Sequence, residues 1–198
     1  MMSVPGKRRA AFSLAFECYG ARVVVSTNEM AIFDALPGNL PVGSKLIDAT
    51  EVANRFSLLS NEVAEGPEAT DTYGLYDSES LVLSTSDLEI ALEQLARELD
   101  AVVALEASPW LFVHAGVVGC EAGAIVIPGR SMTGKTSLVA ALVKAGATYY
   151  SDEYAVFDWH GHVHAFPKPL HLRTGPQGEP EKIDVAELGG KKIGRAHV

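Results

Sequence analysis

The chain has 198 residues, enough for one domain or for a small domain with part of a larger one. With 47% hydrophobic and 21% charged residues it can bury a core, which excludes a chain disordered throughout. The formal net charge of −9 is uneven: residues 1–108 hold 7 Lys+Arg against 17 Asp+Glu, residues 109–198 hold 9 against 8, and no basic stripe points to nucleic acid.

In chain order, Lys7-Arg8-Arg9 and Ala10–Phe16 open like a signal peptide. Glu17 interrupts the apolar run and no clear cleavage site follows, so the segment reads as a strand. Phe12–Glu17 and Ala21–Ser26 flank Cys18-Tyr19-Gly20 as a β-hairpin. Asn28–Leu36 predicts a short helix closed by Pro37-Gly38, Phe56–Leu59 a short strand, and the polar Asn61–Asp71 a loop. Thr72–Tyr76 and Ser80–Ser84 suggest a second hairpin around Asp77-Ser78. Ser86 stands as an N-cap, with Glu89 completing a capping box. Leu88, Ala91, Leu92, Leu95, Leu99, Val102 and Val103 recur at steps of three and four, which predicts the longest helix, ending near Glu106 and packed on a core. The composition changes near Ser108. This predicts a small α+β region over 1–108 and a second domain from 109 onward. No run of about 18 apolar residues predicts a membrane span. Two cysteines, Cys18 and Cys120, without a C-x-x-C pair or metal spacing point to a reducing, cytoplasmic compartment, a disulfide between them remaining open.

Trp110–Val118 and Ala122–Ile127 read as strands joined at Gly119–Glu121. Gly129-Arg130-Ser131-Met132-Thr133-Gly134-Lys135-Thr136 then matches the phosphate-binding pattern G-x-x-x-x-G-K-[ST]. Ser137–Ala145 has helical spacing and stops before Gly146, a C-cap. Strand, loop and helix in that order place phosphates at a helix N-terminus, where N–H groups converge and the dipole favours anions. Residues Gly129 to Ser137 are thus the expected cradle for ATP phosphates. Lys135, exposed when the site is empty, reaches the β- and γ-phosphates, and Thr136 offers a hydroxyl to Mg²⁺. Arg130 either touches phosphate or points to solvent.

Ala147–Tyr150 and Tyr154–Phe157 are further strands, separated by Ser151-Asp152-Glu153. A strand after such a helix runs parallel to the strand before it, so its C-terminal end returns to the phosphate side. Topology therefore delivers Asp152 and Glu153 towards the phosphates; the alternative is a solvated turn between strands. His114 lies within an apolar strand, as a supporting core residue or as a member of the site. Asp158–Gly161 reads as a turn and Val163–Leu172 as extended chain. His160, His162 and His164 alternate, with His171 nearby. Either they hold zinc or they are polar flanks of a turn, and no cysteine or acid at a familiar ligand spacing supports the metal. Arg173 approaches from a neighbouring loop in a position the sequence leaves open.

His114-Ala115-Gly116, then Gly129–Thr136, then Ser151-Asp152-Glu153 together resemble the catalytic domain of HPr kinase/phosphorylase and the wider group of HPr-kinase-like proteins. The resemblance is specific over Phe112–Arg173, where the chain looks like the bacterial HPr-kinase-related branch. It implies an α/β, phosphoenolpyruvate-carboxykinase-like P-loop fold and Mg-ATP-dependent phosphorylation of a serine on a protein or peptide. It further implies that Lys135 and the loop amides bind ATP, that Thr136 and Glu153 hold Mg²⁺, that Asp152 is the general base, and that His114 supports the site. A homo-oligomer is left open. Glu153 stands where HPr kinases usually carry a second Asp, and the family's later motifs are not seen. Two other readings stay open: an ATP-binding regulatory module without turnover, and a kinase tailoring a ribosomally made peptide.

Lys192–Val198 reads KIGRAHV, the translation in one frame of a widely used sequencing-library adapter. The expectation is that these residues are an artefact, that the catalytic domain over 109–191 is incomplete at its C-terminal end, and that the fragment's own activity is impaired.

Overall fold

The computed structural model describes residues 10–52, 54–62, 71–130, 133–173 and 180–188. The chain divides into two compact units, Met1–Glu106 and Ala107–Val198. Both mix strands and helices, with strands dominating, so the fold is mixed α/β.

In the first unit, β1 (Phe12–Cys18) and β2 (Ala21–Thr27) form the expected hairpin. Its two-residue loop, Tyr19-Gly20, has φ of 50° and 88°, the doubly positive geometry that matches strand twist. Helix α1 (Met30–Ala35) follows and continues as a 3₁₀ turn to Asn39. β3 (Lys45–Ile47), β4 (Asn54–Glu62), β5 (Asp71–Asp77) and β6 (Ser80–Thr85) complete a six-stranded sheet in the order β3-β1-β2-β4-β5-β6. β4 is longer than the four-residue strand expected, because pairing with both β2 and β5 sustains it. Most of the loop expected at 61–71 lies outside the described residues.

Helix α2 (Leu88–Glu106) packs on this sheet through the predicted stripe, with Ala91, Leu95, Leu99, Val102 and Val103 buried. They meet a core that includes Phe16, Val25, Ile32, Phe56, Leu58 and Leu75. Its cap differs from the expectation. The Asp87 carboxylate, not the Ser86 hydroxyl, accepts from the N–H groups of Glu89 (2.8 Å) and Ile90 (3.3 Å). Asp87 immediately precedes the first helical residue, which is where a side-chain oxygen reaches the orphan N–H groups.

The second unit is organised by one long strand, β7 (Leu111–Cys120). On one flank it pairs with β8 (Gly123–Pro128). On the other it pairs first with β9 (Thr148–Ser151), then with β10 (Tyr154–Phe157). All these pairings are antiparallel, and β11 (Val163–His164) adds beside β10. Helix α3 (Lys135–Lys144) connects β8 to β9. It ends as predicted at Gly146, whose N–H bonds Val143 O while that of Ala147 bonds Leu142 O, a Schellman pair. β12 (Leu170–Arg173) closes the segment expected to be extended, whereas its pairing with β13 (Pro180–Ile183) and a 3₁₀ turn, Val185–Leu188, were not expected from the sequence.

Strand alternation divides β7 between two faces. Val118 joins Val139, Ala140 and Val143 of α3, with Tyr149, Leu170 and Val185. Val113, Ala115 and Val117 point the other way, with Val126, Ala155 and Val163. His114 alternates with Val113 and Ala115 and so shares the α3 face.

Candidate active site

The phosphate-loop pattern spans the end of β8 and the first turn of α3. Gly134 has φ of 87°, a conformation that side chains resist, and its C=O accepts from Leu138 N–H to start the helix. At Gly129 an added Cβ would lie 2.9 Å from Thr133 Oγ1 and 3.4 Å from Lys135 Cδ, so only glycine leaves room for the loop to fold over itself. The Thr133 hydroxyl donates to Arg130 O (2.7 Å). Arg130 and Ser137 are exposed. Ser131 and Met132 lie outside the described residues.

Lys135 departs from its expected exposure. It is only 8% exposed, and its ammonium donates to Gly129 O and Arg130 O, both at 2.8 Å. The reason is local: the tight loop turns two carbonyls towards the start of α3, and the ammonium donates to both.

The acidic pair arrives where topology sends it, by a different route. β8 and β9 are not neighbours; each runs antiparallel to β7 on opposite flanks, and so they point the same way. On one flank Ala115 pairs with Pro128, just before the loop. On the other, Ala115 N–H donates to Glu153 O at 3.1 Å, and Val117 pairs with Ser151. One stretch of β7 thus has the phosphate loop on one side and the acids on the other. The acids are not a turn between separate strands. β9 and β10 continue along the same flank of β7, and Asp152-Glu153 is a break in that line. The fully buried Ser151 fixes it, its Oγ accepting from the N–H groups of Glu153 (3.1 Å) and Tyr154 (3.0 Å).

The two acids differ in surroundings. The Asp152 carboxylate accepts from the Tyr149 hydroxyl at 3.1 Å. Burial pushes its carboxyl above the ordinary carboxylate range. The Tyr149 hydrogen bond opposes this, the Glu153 charge adds to it, and Thr136 and His171 oppose it. The fully buried Tyr149 phenol is pushed up, first by burial and then by the Asp152 charge. The Glu153 side chain is half-exposed, with Oε1 3.9 Å from His114 Nε2. His114 is also exposed rather than a core residue, and its ring lies 6.1 Å from that of Tyr154. Tyr154 packs in turn on Phe112 and Phe166.

The histidine-rich segment is a carboxylate-pinned turn. Asp158 Oδ1 accepts from the N–H groups of His160 and His162, each at 2.9 Å. Asp158 Oδ2 lies 3.2 Å from His162 Nδ1 and 3.0 Å from His164 Nε2. His160 stacks on Trp159 with centroids 3.6 Å apart. Among the described residues no group of three or more His, Cys, Asp or Glu is placed to hold a metal ion. The Arg173 side chain lies outside what is described. Both cysteines are free, Cys18 buried and Cys120 exposed. Among the described residues no helix is long and apolar enough to cross a membrane.

Sequence reasoning missed Tyr149 and Ser151. Tyr149 looks like any core strand residue, and nothing local signals that its hydroxyl meets a carboxylate. Comparison with protein-family models finds no match, and comparisons with curated proteins and with solved structures find none of significance.

Proposed function

We propose that the chain is a Mg-ATP-dependent serine kinase of the HPr-kinase-like type, acting on a protein or peptide. One observation carries this reading: Ala115 of β7 pairs on one flank with Pro128, just before the loop, and on the other its N–H donates to Glu153 O at 3.1 Å, so loop and acids flank the same stretch of strand. The cradle fits nucleotide phosphates, since Gly129 has no room for a Cβ and the Lys135 ammonium is already held over the loop. Magnesium characteristically takes one or two protein oxygens and completes its shell with phosphate oxygens and water. Thr136 and Glu153 fit that set and would hold it; the ion supplies charge neutralisation on the phosphates.

Lys135 then turns from its loop carbonyls to the β- and γ-phosphates. Asp152, desolvated and with raised proton affinity, accepts the proton of the substrate serine hydroxyl. The serine oxygen forms a bond to the γ-phosphorus as the bond to the bridging oxygen breaks, and ADP leaves. His114, beside Glu153, supports the acceptor side of the site.

The test is a calorimetric titration with Mg-ATP, followed by comparison of serine phosphorylation in host cells carrying wild-type or Asp152→Asn protein. Asp152→Asn is expected to keep Mg-ATP binding and to lose about 10²–10⁴ in transfer rate. Glu153→Gln is expected to weaken Mg²⁺ binding instead. Binding of ATP without transfer to any serine would support a regulatory module, and absence of binding would remove the reading altogether.

A further inference from the structure

Tyr149 is fully buried, yet its hydroxyl has two acceptors, Lys168 O at 2.8 Å and Asp152 Oδ1 at 3.1 Å. A phenol carries one hydrogen, so the two acceptors share it at one point in the core. Around the ring, Val118 of β7, Val139 and Val143 of α3, and Leu170 of β12 are all buried, which leaves the hydroxyl no alternative position. The chain near Lys168 is tied to the same strand line a second time, because Phe166 N–H donates to Tyr150 O at 3.0 Å.

We propose that Tyr149 is the positioning residue for Asp152: its hydroxyl fixes the carboxylate's orientation and locks the break in the strand line to the segment through Lys168. The proposal rests on the reading of Asp152 as the reacting acid. A carboxylate on a two-residue break is free to turn about χ1 and χ2 unless held. The Tyr149 hydroxyl, 3.1 Å from Oδ1, holds it. The Tyr149 ring contributes packing, whereas its oxygen contributes only these two hydrogen bonds, so the roles are separable by Tyr149→Phe.

The experiment uses the full chain with wild-type, Tyr149→Phe and Thr136→Val proteins. Three quantities are read: Mg-ATP affinity by calorimetry, kcat and KM for ATP consumption, and the Asp152 side-chain conformation in crystal structures of wild type and Tyr149→Phe. The expected result for Tyr149→Phe is ATP affinity within about twofold of wild type, kcat reduced about 10- to 100-fold with KM for ATP little changed, and a reoriented Asp152 carboxylate. A fall in affinity equal to that in kcat would mean a general loosening of the site and would overturn the proposal. So would an unchanged kcat in an active wild type. If the wild-type chain neither binds nor consumes ATP, the kinase reading fails, and the crystal structures decide alone: an unmoved carboxylate in Tyr149→Phe overturns the positioning role and a moved one sustains it.

Discussion

At the scale of single residues, the site is held by groups that satisfy one another before any ligand arrives. Lys135 is the clearest case. Its ammonium is engaged with two loop carbonyls and nearly shielded from water, so it supports the fold as well as the proposed chemistry. Lys135→Ala should therefore remove most ATP affinity and also destabilise the second unit by about 1 kcal/mol, the order of a charge-assisted hydrogen bond whose acceptors keep some access to water. Calorimetry with ATP and thermal denaturation without it separate the two effects, and an unchanged melting temperature would show the carbonyl bonds to be idle. Asp158 gives a pH-dependent counterpart. The hydrogen bond from His164, followed by those from His162 and His160, holds its carboxyl well below the ordinary carboxylate range. A carboxyl so lowered stabilises the folded turn above its unfolded value, and that contribution fades as pH falls through the lowered one. The Asp158 carboxyl-carbon resonance should therefore titrate only in strong acid, and a midpoint in the ordinary carboxylate range would show that the histidine contacts do not hold it.

At the scale of elements, what was legible depended on how local the cause was. The hairpin over β1 and β2, the buried stripe of α2, the loop before α3 and the Gly146 terminus all follow from short-range geometry, and each reads directly from residue spacing. The partners of β7 do not. Its ten residues take β8 along one flank and β9 then β10 along the other, a choice set by nonlocal pairing that no window of sequence contains. Hence the arrival of Asp152 and Glu153 was foreseeable from chain direction, while their place in a strand break, and the supports from Ser151 and Tyr149, were not. Helix capping marks the limit of local reading: Ser86 and Asp87 are both good caps, and register alone chose the second. Asp87→Ala should cost about 1 kcal/mol, and Ser86→Ala should stay within about 0.5 kcal/mol in denaturant titrations. Gly116 links packing to the site. A Cβ there would meet Val139 Cγ2 at 2.6 Å, and Val139 is a stiff β-branched residue on the helix that also carries Lys135 and Thr136. Gly116→Ala should cost about 1–3 kcal/mol through overpacking and weaken ATP binding by shifting α3. A variant with lowered stability but native ATP affinity would show that β7, not α3, gives way.

At the scale of the whole molecule, the residues of the proposed site all fall in the second unit, and the two units carry very different charge. Residues 1–108 hold 17 acidic against 7 basic side chains, while 109–198 are close to balanced. A nucleotide triphosphate is an anion, so the first unit's charge is expected to oppose its approach through the long-range field. That field is screened by salt, with a Debye length of about 10 Å at 0.1 M and about 3 Å at 1 M. Each unit has its own sheet, and helix α2 packs within the first while α3 packs within the second. The segment Ala107–Val198 expressed alone is therefore expected to fold and to bind Mg-ATP, with tighter binding than the full chain at low ionic strength and equal binding near 1 M salt. Calorimetric titrations of both proteins across a salt series measure this. An affinity difference that persists at high salt would mean that the first unit influences the site by contact rather than by charge. Failure of the segment to bind under conditions where the full chain binds would mean that the site needs residues from the first unit.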